Sequence, residues 1–147
     1  MIMNRLFNTN YHHRSLDIVL LILRVSLTLL MLSHGIEKLN MLLEGGTIQF
    51  PDPLGVGAAV SLSLAVFAEV FCSILILFGL ATRLAVLPLI FNMLIAVIVI
   101  HAADGLKVKE LALHYLLGYL VLLFTGAGAL SIDSMISRNA MRSRRNY

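Results

Sequence analysis

An all-α bundle of four membrane-spanning helices is the fold class this sequence predicts, and three observations predict it. The chain is 59% hydrophobic and 13% charged, with a mean hydropathy of +0.93, too apolar for a soluble domain of its 147 residues. Four segments approach the roughly 20 apolar residues that a spanning helix needs, because backbone polar groups in hydrocarbon must be satisfied within the segment. Those segments account for most of the sequence, so a single integral membrane domain, 1–147, is expected with no separate soluble unit.

Span one runs from about Leu16 to Ser33. Basic residues precede it, as in a signal peptide, but its apolar run exceeds the usual ~7–15 residues and no small-residue cleavage site follows, so it is expected to be retained. Span two, Ala58 to Leu80, carries Ser61, Ala65, Ala68 and Cys72, small residues that permit close helix packing. LATRL is a tight turn into span three, Leu84 to Ile100, and span four follows from Leu111 to Thr125. The outer loop, 39–57, is long for a bundle connection and holds its own apolar residues, Met41, Leu42, Leu43, Ile48 and Phe50. It reads as a functional lid or as an interfacial flap without chemistry.

Four spans put Arg5 and Arg14, Arg83, and Arg138, Arg142, Arg144 and Arg145 on one side. The other side mixes Lys38, Lys107 and Lys109 with Glu37, Glu44, Asp52, Asp104 and Glu110. The positive-inside rule then places both termini in the cytoplasm of a bacterial plasma (inner) membrane, with the chain multi-pass. The basic end, RNAMRSRRNY, is expected to anchor near anionic headgroups. It lacks interleaved aromatics, so the lipid bilayer and not nucleic acid is the expected partner.

The stretch MLSHGIEKLN places His34, Glu37 and Lys38 within one helical turn, where they are expected to cap span one. Span three delivers His101 to the same face, and span four begins there with Glu110, His114 and Tyr115. Deeper in the membrane lie Arg24 and Glu69. An ionised group at mid-bilayer costs at least ~2.5–3.5 kcal/mol, so an Arg24–Glu69 pair is expected, with Asn92 as third member. At about 100° per residue, Arg24, Met31, Gly35 and Lys38 share one stripe. Glu110 and His114, four apart, share a face that suits a carboxylate orienting an imidazole. Asn92 and His101 fall on opposite faces of a regular helix, so either His101 lies beyond the helix end or one of the two points away.

The candidate ligand-binding set is therefore His34, Lys38, Glu69, His101, Glu110, His114 and Tyr115, and the candidate buried polar group is Arg24, Glu69 and Asn92. Structural readings stand beside these. The Arg24–Glu69 pair would serve equally as a register device. His34 and His114, taken singly, fit interfacial residues bonded to carbonyls. Tyr11, Tyr115 and Tyr119 fit membrane-interface aromatics, and Met31, Met41 and Met93 fit core filling. The single Cys72 excludes an internal disulfide, thiol exchange by this chain alone and a thiolate metal cage. No metal site is read.

Taken together, an LR near the start of span one, HGIEKL at its end, FPDPLG in the loop and FAEVFCSILILFGLATRLA across span two resemble the DoxX family of small bacterial membrane proteins. NMLIAVIVIHAADG, KELALHYLLGYL and GAGALSID extend the resemblance over nearly the whole chain. One departure is Gly126, Ala127 and Gly128, where many relatives have GPG. The family takes its name from a subunit of a thiosulfate:quinone oxidoreductase, so the resemblance implies a redox-linked role, although most members have no established reaction.

Two classes of function are compatible with these residues. The first is a quinone-interacting membrane subunit, whose head-group donors would be His34, His114, Tyr115 and Lys38, with Glu69 and Glu110 as proton carriers. Quinone is the cofactor this set would suit. Electrons would come from another redox or membrane subunit or a soluble donor, since no CxxC, cysteine cluster or dinucleotide fingerprint occurs and no HxxxH holds a haem. The alternative is a non-catalytic structural or assembly subunit of a homo- or hetero-oligomer. A small-solute channel or transporter ranks last, because no inverted repeat or pair of broken helices is visible.

Overall fold

The computed structural model describes residues 12–144; Arg5, Tyr11 and Arg145 lie outside them. Four helices are long and apolar enough to cross a membrane: α1 His13–Glu44, α2 Ala58–Phe78, α3 Thr82–Ile100 and α4 Leu106–Thr125. A fifth, α5, spans Ile132–Arg144. Among the described residues there is no strand.

Two boundaries differ from the sequence reading for one reason. Hydropathy ends a span at its first charged residues, yet a helix continues wherever its polar side chains have left hydrocarbon or found a partner. Helix α1, with 32 residues, is roughly 48 Å long by its rise and exceeds a ~30 Å hydrocarbon core. His34, Glu37 and Lys38 thus lie inside α1 and do not cap its end, and the loop shortens to 45–57, opened by Gly45 at φ 69°. Likewise α4 starts at Leu106, more than one turn before Leu111.

Spans two and three are not uniformly α-helical. Phe67–Cys72 in α2 and Ala96–Ile100 in α3 are wound as π-helix. Such wide turns shift the helical phase of the residues beyond them and recur at functional sites. His101 sits just beyond α3 with φ −102° and ψ 23°, which resolves its conflict with Asn92.

The helices pack as antiparallel neighbours. The core is the inward stripe of each, with Met31, Leu62, Ile76, Val86, Leu89 and Leu122 almost fully enclosed. The outside is as apolar as the inside: Leu84 and Phe124 are 70% and 77% exposed, the pattern of a surface solvated by lipid. Small residues set the closest approaches. Ser61, Ala65, Ala68 and Cys72 are buried on α2, and Gly35 passes so near α2 that a Cβ would lie 2.8 Å from Val70 Cγ2 and 3.0 Å from the Glu69 backbone carbon.

The bundle has a loop pole, with 45–57 and 101–105, and a terminal pole, where α1 begins and α4 ends. The terminal pole is stitched by side-chain hydrogen bonds. Asp17 accepts from the Ala129 N–H at 2.7 Å, and Arg83 donates to the Phe124 carbonyl at 3.2 Å. Asp133 in the first turn of α5 accepts from the Ala81 and Thr82 N–H groups at 2.7 and 3.0 Å, while its own N–H donates to Gly79 O at 2.9 Å. It therefore caps α3 from a distant segment. Asp133→Ala is expected to lower stability by about 1–2 kcal/mol, read as the shift of an unfolding transition in mild detergent; an unchanged transition would contradict the capping role.

Candidate functional site

Near the loop pole the helices line a half-open cavity of about 360 Å³. Its polar wall is Lys38 of α1, Glu69 of α2 and Asn92 of α3; its apolar sides include Phe67, Phe91 and Leu111, and Phe50, Pro53 and Leu54 of the loop lie over it. Glu69 is 1% exposed and sits in the π-helical part of α2. Its Oε1 accepts from Lys38 Nζ as an ion pair and from Asn92 Nδ2 at 2.7 Å. Its Oε2 is buried with no protein partner among the described residues.

This arrangement corrects the expected Arg24–Glu69 pair. Arg24 lies at the terminal pole, where its Nη1 and Nη2 donate to the Ile76 and Leu130 carbonyls at 3.4 and 2.5 Å. Helix α2 runs antiparallel to α1, so the residue facing Arg24 is near Gly79, and Glu69 faces Gly35. The partner of Glu69 is consequently Lys38, on the predicted stripe but one turn past Gly35; Asn92 joins Glu69 as expected.

The other candidate residues divide. His34 and Tyr115 line the cavity, with ring centroids 6.2 Å apart and planes at 87°. Tyr115 stacks on Tyr119 at 6.1 Å, and both are core residues, 5% and 1% exposed, instead of interface aromatics. Glu110 and His114 are exposed and off the cavity lining. His114 Nδ1 bonds the Glu110 backbone carbonyl at 2.7 Å, so the expected carboxylate–imidazole couple does not form. His101 is also off the lining; its Nδ1 pairs with Asp104 at 2.7 Å. Met31 and Met93 are core, whereas Met41 is exposed. Missing from the sequence reading were Phe67 and Phe91, whose only signal was a large aromatic on a span, and the π-helical turns, which leave none.

The loop over the cavity is held by one carboxylate. Asp52 accepts from the Val56 N–H at 3.0 Å, the Gly57 N–H at 2.7 Å and the Ser61 hydroxyl at 2.7 Å, tying the loop to the first turn of α2. The Ser61 hydrogen bond, then that of Gly57, holds its pKa below the ordinary value. A depressed carboxylate contributes stability above its unfolded pKa, near 3.9, and loses it as pH falls through the folded value. The loop is therefore expected to stay docked through neutral pH and to loosen only in stronger acid. Asp52→Ala is expected to speed amide exchange at Val56 and Gly57 several-fold at neutral pH; unaltered exchange would contradict it.

The match to the DoxX family model spans residues 19–102, more than half of the chain. The chain belongs to the DoxX family. That match contains Arg24, His34, Lys38, Glu69 and Asn92, and ends before Glu110, His114 and Tyr115. An uncharacterized protein of Haemophilus influenzae is 34% identical over 126 residues, covering 81% of this chain and 83% of the relative. The uncharacterized membrane protein Rv3486 of Mycobacterium tuberculosis is 29% identical over 141 residues, covering 80% and 81%. No solved structure matches. A DoxX-family multi-pass membrane protein is thus established, and its chemistry has to be read from the cavity.

Proposed function

We propose that this DoxX protein binds a quinone in the cavity at the loop pole, as the quinone-interacting subunit of a bacterial inner-membrane redox system with both termini cytoplasmic. The observation that carries the reading is the Lys38–Glu69–Asn92 group, with its carboxylate buried, at the wall of a mostly apolar cavity between membrane-spanning helices. A lipid-soluble ring with carbonyl oxygens matches such a site: the ring fills apolar space and the few polar groups orient it. Lys38 Nζ and Asn92 Nδ2 are the donors for one carbonyl, and His34 or Tyr115 supports the other. Glu69 Oε2 is the group that exchanges a proton. Full reduction of a quinone takes two electrons and two protons. The chain's one cysteine and absent cofactor motifs assign the electrons to a partner subunit or soluble donor.

Titration of a short-chain ubiquinone into the purified protein in nanodiscs, followed by calorimetry, tests this. Saturable binding weakened roughly tenfold or more by Asn92→Ala, the loss of one charge-linked hydrogen bond at about 1.5–3 kcal/mol, is expected. Equal binding by the variant, or none by the wild type, would overturn the reading and favour a non-catalytic assembly subunit.

A further inference from the structure

Five of the six buried side-chain polar atoms that lack a partner among the described residues belong to the inward faces of α1, α2 and α4, and the sixth, Thr82 Oγ1, is at the start of α3. Arg24 Nε, Thr28 Oγ1, Ser73 Oγ, Tyr119 OH and Glu69 Oε2 have no partner among the described residues, and each of these residues is 1% exposed. Arg24 and Thr28 are one turn apart on α1, as are Glu69 and Ser73 on α2. The antiparallel register, with Gly35 against Glu69 and Arg24 against Gly79, sets the two series end to end along the bundle axis, in the order Arg24, Thr28, Ser73, Glu69. The Tyr119 hydroxyl lies beside that of Ser73, too loosely placed to form a well-aligned hydrogen bond with it. The series cover roughly 16 Å of bundle axis by helix rise.

These hydroxyls differ from the others on the same helices. Ser33, Ser63 and Thr125, on exposed faces, satisfy themselves by donating to Leu30, Ala59 and Val121 carbonyls of the preceding turn at 2.7–2.8 Å. Thr28 and Ser73 have the same local option and do not take it. A buried hydroxyl without a partner costs free energy that a bridging water removes, and a site with several converging polar atoms is one a water occupies.

We propose that these atoms line an internal file of water connecting Glu69 to the terminal pole, and that Glu69 exchanges its proton with that pole through it. Each water or hydroxyl in the file accepts one proton and releases one, so it ends unchanged; the transferred proton ends as a new O–H bond on Glu69 Oε2. Arg24 closes the pole end. Its two Nη groups are tethered to carbonyls and its Nε is buried without a partner among the described residues, so its fixed charge opposes steady flow of hydronium. The file is therefore an exchange route and not an open channel. This holds whatever ligand the cavity takes.

The test uses full-length protein in vesicles, captured through a C-terminal tag so that the terminal pole faces the medium. Protonation of Glu69 after an acid step is followed by its carboxylic-acid infrared band, assigned by its absence in Glu69→Gln. Thr28→Val, Ser73→Ala and Tyr119→Phe each remove one hydroxyl of the file with little change of volume. Each is expected to slow protonation on the order of tenfold or more when the step is applied at the terminal pole, and to leave it unchanged when applied at the loop pole. Water-edited solid-state NMR of the wild type should show transfer from water to the Thr28, Ser73 and Tyr119 side chains. Wild-type rates in the folded variants, or dry side chains, would overturn the proposal.

Discussion

Replacing Lys38 with methionine is expected to lower stability by roughly 2–3 kcal/mol and to abolish ligand retention. Glu69 is 2% exposed at its side chain and Lys38 28%. Removing one member of a fully buried pair costs about 3–5 kcal/mol because the remaining charge is stranded; the partial exposure of Lys38 places this pair below that range. The loss arises from Glu69, so it should be largely recovered when Glu69→Gln is added to Lys38→Met, since a neutral amide can keep the hydrogen bond from Asn92. Unfolding transitions of the wild type, both single variants and the double variant form the cycle that isolates the coupling. Additive effects would show that the pair does not hold the site. Ligand retention behaves differently: it should stay lost in the double variant, because the donor and the proton-exchanging group are both gone.

Gly79→Ala is expected to have the other large effect, a loss of about 3 kcal/mol or more, or failure to fold. Gly79 ends α2 at φ 65°, a left-handed conformation costing a side-chain-bearing residue about 1 kcal/mol or more. Its added Cβ would also fall on Arg24 Nη1 and lie 2.6 Å from Ser131 Cβ. Arg24 cannot swing aside without giving up the Ile76 and Leu130 carbonyls and leaving a buried cation unsatisfied. Gly45, at φ 69° and ψ −175°, has nothing within 4 Å of its Cβ position, so Gly45→Ala should cost only backbone strain, about 1–3 kcal/mol in that nearly glycine-only region. A Gly79→Ala transition lowered by no more than the roughly 1 kcal/mol of left-handed strain would show that Arg24 packing contributes nothing.

The contrast between these two sites marks how far the sequence can be read. The number of spans and their apolar character follow from hydropathy alone, because the bilayer imposes length and composition on each span, whereas the polar helix α5 leaves no hydropathy signal. The stripe Arg24, Met31, Gly35 and Lys38 was legible too, since it depends on helical period within one element. The partner of Glu69 was not. It depends on the register between α1 and α2, set by Gly35 lying against Glu69, and a single sequence gives no measure of that offset. Depth estimates place Arg24 and Glu69 both near mid-membrane, whereas the register of α1 against α2 sets them about 16 Å apart along the bundle axis. Tyr119 was misplaced for a related reason: tyrosine is common at membrane interfaces, and only the packing of α4 shows that its ring is inside. The loop was legible as a lid candidate from its length and apolar residues, but its anchoring by Asp52 to Ser61 needs the fold.

The central claim is that the Lys38–Glu69–Asn92 cavity holds a quinone, and the most direct measurement is what the protein carries when isolated. Wild type, Lys38→Met and Glu69→Gln would be purified in mild detergent, their organic extracts analysed by mass spectrometry, and their oxidised-minus-reduced absorbance spectra recorded. The account predicts near-stoichiometric quinone in the wild type and its loss in both variants while the bundle stays folded. Wild-type protein free of quinone, or quinone carried equally by all three, would contradict it.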